Sequence, residues 1–90
     1  MTIARHVRVS GSVQGVFYRA WTAQQAQALG VAGWVRNCSD GSVEALVEGD
    51  DTAVSRLLDL MRDGPAAARV DHLTVKPAAP TDAAGFAVRR

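Results

Sequence analysis

An α+β fold, with two helices laid over one face of a mostly antiparallel sheet, is what this sequence predicts, and three observations predict it. Valines alternate with polar residues in several separate short runs, two helix-period segments interrupt those runs, and the order along the chain is β-α-β-β-α-β-β. Ninety residues suffice for one modest core without staples, so residues 1–90 read as a single domain.

Val7, Val9, Gly11 and Val13 alternate with His6, Arg8, Ser10 and Ser12, which gives the first strand one buried and one wet face. From Arg19 to Leu29 the chain is rich in Ala and Gln without a β-branched run, so a helix follows, and Gly30 is its C-terminal stop. Arg19, Thr22, Ala26 and Leu29 fall on one stripe, which starts the arginine on the face turned to the sheet. Val31 to Cys38 is the second strand, with Val31, Gly33, Val35 and Asn37 on one face. Asp40-Gly41 then turns the chain into a third strand, Ser42 to Glu48. There Val43, Ala45 and Val47 point inward, and Ser42, Glu44, Leu46 and Glu48 outward.

Asp50 is placed to cap a second helix whose Val54, Leu57, Leu58 and Met61 follow i, i+3, i+4, i+7 spacing, and Gly64-Pro65 ends it. Val70 to Lys76 is the fourth strand, with Leu73 and Val75 inward. Pro77 to Ala84 is a small-residue loop, and Phe86-Ala-Val88-Arg a short last strand. Both helices cover one face of this sheet. Arg8, Arg36, Glu44, Glu48, Thr74 and Lys76 land on the other, predicted open to water. The arrangement is the ferredoxin-like split βαβ, a two-layer α/β sandwich. Its first and second strands run parallel, so their C-terminal ends reach the same edge of the sheet, and Arg19 and Asn37 come near one another.

Ten basic residues against nine acidic leave a net charge of +1, which gives no basis for bulk binding to nucleic acid or anionic membrane. An RNA-recognition sheet would carry aromatic residues on its open face, where this one carries Arg, Glu, Ser and a single Trp34. One cysteine, Cys38, excludes an internal disulfide and fits a reducing compartment. With His6 and His72 scattered, the chain predicts no thiolate zinc site. No segment approaches the roughly 18 apolar residues of a membrane span, and the N-terminus lacks the apolar block of a signal peptide. The expectation is a soluble, cytoplasmic monomer.

The segment Gly11-Ser-Val-Gln-Gly15-Val-Phe-Tyr-Arg19 carries the chemistry. Small residues and free backbone N–H groups ahead of a helix N-terminus form a nest for an anion. Arg19 in the first turn opposes the helix dipole by a few tenths of a kcal/mol, roughly, unless an anion lies between them. An arginine also matches two phosphate oxygens with its planar fork. The segment lacks G-x-x-x-x-G-K-[ST] and G-x-G-x-x-G, so nucleotide binding is not supported.

Val13-Gln14-Gly15-Val16-x-Tyr18-Arg19, Gly33-Trp34-Val35-Arg36-Asn37 and Asp40-Gly41-Ser42-Val43-Glu44 together resemble the acylphosphatase family. The resemblance extends through Arg69-Val70-Asp71 to the Phe86-x-Val88-Arg89 ending. It implies hydrolysis of an acyl phosphate to carboxylate and inorganic phosphate without metal or cofactor, with phosphate as product and inhibitor. By the same resemblance Arg19 binds the phosphoryl group and Asn37 orients the attacking water. Gln14, Gly15, Val16, Phe17 and Tyr18 supply a backbone cradle. No histidine, carboxylate or cysteine at this edge is needed as general base, because an acyl phosphate has a good leaving group.

The family more often has phenylalanine at the position of Tyr18, whose added hydroxyl needs a partner or a place on the pocket rim. A hydroxyl residue is common where this chain has Cys38, a weaker hydrogen-bonding group. Neither motif reads the acyl half of a substrate. Of the remaining residues, Trp34 is expected to pack at a sheet edge and Cys38 to be incidental. His6, His72, Arg89 and Arg90 are expected in solvent, with the terminal carboxylate within possible reach of Arg19. The length fits a stand-alone enzyme better than the related domain that opens carbamoyl-transferring maturation proteins.

Overall fold

The alternating valines of the first strand become the spine of the molecule. A computed structural model describes residues 1–90, and in it Val7 and Val9 on β1 (Thr2–Ser12) are wholly buried. The chain continues through α1 (Tyr18–Leu29), β2 (Ala32–Asn37), β3 (Val43–Asp50), α2 (Asp51–Asp63), β4 (Arg69–Ala78) and β5 (Phe86–Arg89). The strands form one sheet in the order β4-β1-β3-β2-β5. β3 is antiparallel to both β1 and β2, β4 is antiparallel to β1, and β5 is parallel to β2. This is the ferredoxin-like arrangement the sequence predicts, with β1 and β2 running the same way on either side of β3.

Strand and helix limits differ from the sequence reading where pairing extends an element beyond its alternating core. β1 begins at Thr2, because Thr2 and Ile3 pair with Asp50 and Gly49. β4 runs on to Ala78, which pairs with Ala4. Gly11 lies inside β1, at a register shift against β4, so it is part of the sheet rather than of the anion loop.

The core lies between the sheet and the two helices. Val7, Val9, Val35, Val43, Ala45 and Val47 meet Ala26 of α1 and Val54, Leu57 and Met61 of α2. Tyr18, not Arg19, leads the buried stripe of α1, followed by Thr22, Ala23 and Ala26. The helix is rotated from the predicted stripe because Tyr18 brings a ring to the core, whereas a guanidinium there would have to be desolvated. Gly33 lets the second strand close on the third. Its φ of 133° suits glycine, and a Cβ there would collide with the Leu46 carbonyl oxygen.

The face away from the helices is less wet than its pattern predicts. Glu44, Leu46 and Glu48 of β3, and Ser42 just before it, are all buried. The reason is position: β3 is the central strand, and long side chains and a loop close over it. Glu44 is bonded by Arg36 Nε, and its Oε2 lies 2.7 Å from His6 Nε2, so His6 is partnered rather than solvated. Glu48 accepts from the Thr81 N–H at 2.7 Å, the Thr81 hydroxyl at 2.6 Å and the Ala83 N–H at 2.9 Å. The segment after β4 is thereby strapped across the sheet, which delivers β5 to the edge of β2. Trp34 lies under two guanidinium groups, with Arg89 at 5.0 Å and Arg36 at 5.8 Å from its ring centre. Arg89 is exposed, as expected, and its guanidinium stacks over Trp34 from the solvent side.

Burial alone would raise the Glu48 carboxyl, but the bonds from Thr81 and Ala83 outweigh it and hold it below its ordinary 4.5. A carboxyl depressed in the folded state contributes stability above the unfolded pKa and loses it as pH falls through the folded value. The denaturation midpoint should therefore decline on acidification below about pH 4.5. Glu48→Ala should lower stability at neutral pH by about 2 kcal/mol and flatten that acid limb, as measured by urea denaturation across pH.

Candidate active site

The helix that follows β1 starts in an unusual way. Phe17 occupies the N-cap of α1 at φ 62°, makes no side-chain cap bond, and no acidic residue lies in the first turn. The N-terminus of α2 is the opposite case. Asp50 accepts from the Thr52 N–H at 3.2 Å, and Asp51 sits in the first turn. Uncapped N–H groups carry the positive end of the helix dipole to the surface at α1 alone. Ahead of it, the N–H groups of Gly15, Val16 and Phe17 donate to no other backbone group. Gly15 has φ 76° and open space on its Cβ side, so the loop turns there without a side chain crowding it. A non-glycine residue in the left-handed region costs about 1–2 kcal/mol, and Phe17 bears that strain at the mouth of the same turn.

Gln14 works through its side chain, which the sequence did not reveal. Its Nε2 donates to the carbonyls of Cys38 and Ser42, each at 2.8 Å. Those two residues close the β2–β3 hairpin, where the Cys38 N–H bonds to the Ser42 carbonyl at 2.8 Å. Asp40 accepts from the Ser42 N–H and hydroxyl, which together with Arg8 hold its carboxyl below the usual value. One amide thus ties the loop before α1 to the hairpin that follows Asn37. Cys38 takes part through its backbone and does not line the pocket.

A pocket of about 270 Å³ opens between these segments, lined by Val13, Gly15, Phe17, Tyr18, Arg19, Ala20, Asn37 and Val88. Arg19 and Asn37 share it, as the parallel course of β1 and β2 predicts. Arg19 is the only charged residue in the lining. Its Nη1 donates to the Arg89 carbonyl at 2.6 Å, so β5 holds the guanidinium through its backbone and not through the terminal carboxylate. The Asn37 Oδ1 is buried without a hydrogen-bond partner. A buried amide oxygen left unpaired costs about 1–3 kcal/mol.

The Tyr18 hydroxyl is not at the rim. It donates to the Met61 carbonyl at 2.8 Å, deep between the helices, and burial pushes its ionisation up. Tyr18 nevertheless lines the pocket. Val88, Ala20 and the Arg89 carbonyl complete the site without having been singled out in the sequence. The valine could have been found from strand parity, since it sits next to Val35 in the β2–β5 pairing.

The acylphosphatase family model matches residues 5–88. The chain belongs to the acylphosphatase family. A curated acylphosphatase of Rhodospirillum rubrum is 56% identical over 80 residues, covering 89% of this chain and 88% of its own. The solved acylphosphatase of Coxiella burnetii superposes with a TM-score of 0.94 at 35% identity, covering 98% of this chain and 93% of that one. The crystal structure of the Bacillus subtilis acylphosphatase gives 0.95 at 28% identity over the whole of both chains. The fold of the acylphosphatases is therefore the fold of this chain.

Replacing Gln14 by Leu should cost about 1 kcal/mol, roughly 4–8 °C in Tm, by untying the loop from the hairpin. Differential scanning calorimetry measures this directly, and an unchanged Tm would mean that the two bonds contribute nothing.

Proposed function

We propose that this chain hydrolyses acyl phosphates at the pocket between the loop before α1 and the end of β2, with Arg19 binding the phosphoryl group and Asn37 orienting water. The observation that carries the reading is that one guanidinium, Arg19, and one side-chain amide, Asn37, line a single pocket. The N–H groups of Gly15, Val16 and Phe17 and the uncapped end of α1 present donors to the phosphoryl oxygens. Arg19 adds a fixed charge in fork geometry. Gln14 sets the loop against the hairpin, and Tyr18 packs its base.

Water oriented by the Asn37 side-chain amide attacks phosphorus. The bond from phosphorus to the acyl oxygen breaks, the carboxylate leaves with that electron pair, and the water's proton passes to a phosphate oxygen. A doubly charged acyl phosphate and water thus give one carboxylate and one dihydrogen phosphate. The lining holds no acid, histidine or thiol to serve as base, in keeping with proton transfer to the phosphate itself. Catalysis on this account is positioning plus charge stabilisation. The protein is read as a cytoplasmic, single-domain monomer that uses no cofactor.

Benzoyl phosphate hydrolysis followed in the presence of EDTA tests the reading. Turnover should persist, Arg19→Gln should abolish it, Arg19→Lys should be severely impaired, and Asn37→Ala should lose on the order of 100-fold or more in kcat. Full turnover in Arg19→Gln would exclude the mechanism. Inorganic phosphate should inhibit competitively and, at about 100 times its Kd, stabilise the fold by roughly 2.7 kcal/mol in thermal denaturation.

A further inference from the structure

A second depression continues from the phosphate pocket along α1 beside β5. It has a volume of about 560 Å³ and shares Phe17, Ala20 and Val88 with the first pocket, then adds Trp21, Ala23, Gln24 and Gln27. Its lining contains no charged residue. Phe17 is 84% exposed and Val88 47%, and apart from the terminal Met1 they are the only large hydrophobic residues so exposed in the chain. Both stand at the junction of the two depressions. An exposed aromatic ring held in the left-handed region is a costly arrangement to keep on a bare surface.

We propose that this groove receives the acyl half of the substrate and selects uncharged, apolar acyl groups, aryl or alkyl. The inference rests on the acylphosphatase reading of the adjoining pocket. The carbonyl carbon of an acyl phosphate lies two bonds from phosphorus, so with the phosphoryl group in the loop the acyl group must leave across the pocket rim. On the α1 side that rim is Phe17, Ala20 and Val88, and the groove begins there. Between Phe17 and Gln24 the helix advances about 10 Å, enough for a ring or an alkyl chain of roughly six carbons before the amides of Gln24 and Gln27 end the apolar floor. A carboxylate on the acyl group would meet no cation along this path. The occupant is the substrate rather than a protein partner because three lining residues are common to both depressions.

A homologous series of acetyl, butyryl and hexanoyl phosphate tests the groove, with succinyl phosphate as the carboxylate-ended counterpart of butyryl. A fully buried methylene is worth about four-fold, and a groove open on one side about half of that free energy, or roughly two-fold per methylene. The kcat/KM ratio of hexanoyl to acetyl phosphate should be on the order of 10- to 20-fold, and butyryl should be preferred over succinyl. The ratio, which cancels general damage to the enzyme, should shrink in Phe17→Ser and grow in Gln24→Leu. Inhibition constants of 2-oxoalkylphosphonates of rising chain length should follow the same order, as a measure of binding alone. Equal kcat/KM for hexanoyl and acetyl phosphate, or a ratio unmoved by both substitutions, would overturn the proposal and leave the acylphosphatase reading standing. Failure of the unaltered protein to hydrolyse any member of the series would overturn both.

Discussion

The pocket depends on β3 lying between β1 and β2 and running against both. β3 is joined to β2 by a tight hairpin, and the helix between β1 and β2 can cross only on one side of the sheet with the favoured hand. Those two constraints make β1 and β2 parallel and bring their C-terminal ends to one edge. The first of these ends leads into the loop before α1 and the second carries Asn37. The core that enforces the layering is a block of β-branched and small side chains on the inner face of β1, β2 and β3, closed by Ala26, Val54, Leu57 and Met61. Chemistry at the edge is thus inherited from packing in the middle.

Within that frame the two helix N-termini divide labour. α2 is capped by Asp50 and serves the core. α1 is left uncapped, with a strained residue at its N-cap, an arginine in its first turn and a loop of free N–H groups before it. Each feature by itself lowers the stability of the empty protein by a modest amount. On the proposed reading one anion would satisfy the free N–H groups and the arginine together and offset the strain at the N-cap. The guanidinium is kept in place by a backbone carbonyl of β5, and β5 in turn by the stacking of Arg89 on Trp34 and by the strap that Glu48 anchors. The far end of the chain therefore bears on Arg19.

What the sequence made legible were the features governed by local rules. Asp50 as a cap, Gly30 and Gly64 as helix stops, the Asp40-Gly41 turn and the inward valines all follow from near neighbours in the chain. Strand direction then sufficed to bring Arg19 and Asn37 into one pocket. Features fixed by distant partners were not legible. The Gln14 amide is spent on carbonyls 24 and 28 residues away, and the Tyr18 hydroxyl on one 43 residues away. Glu44 and Glu48 have the alternation of a wet face, yet both are buried because Arg36, His6 and the segment around Thr81 converge on them. Alternation reports which face a residue takes, not what later crosses that face. The groove beside α1 is illegible in the sequence for the same reason, since Val88 joins Phe17 only after β5 pairs with β2.

The central claim is that one anion engages the loop, Arg19 and Asn37 at once. A titration of the ¹⁵N-labelled protein with inorganic phosphate, followed by NMR, tests it most directly. The account predicts that the backbone amides of Gly15, Val16 and Phe17, the Arg19 guanidinium and the Asn37 side-chain amide shift together along a single binding isotherm. Shifts confined to other surfaces, or a response from the loop that leaves Asn37 and Arg19 unmoved at saturation, would contradict it.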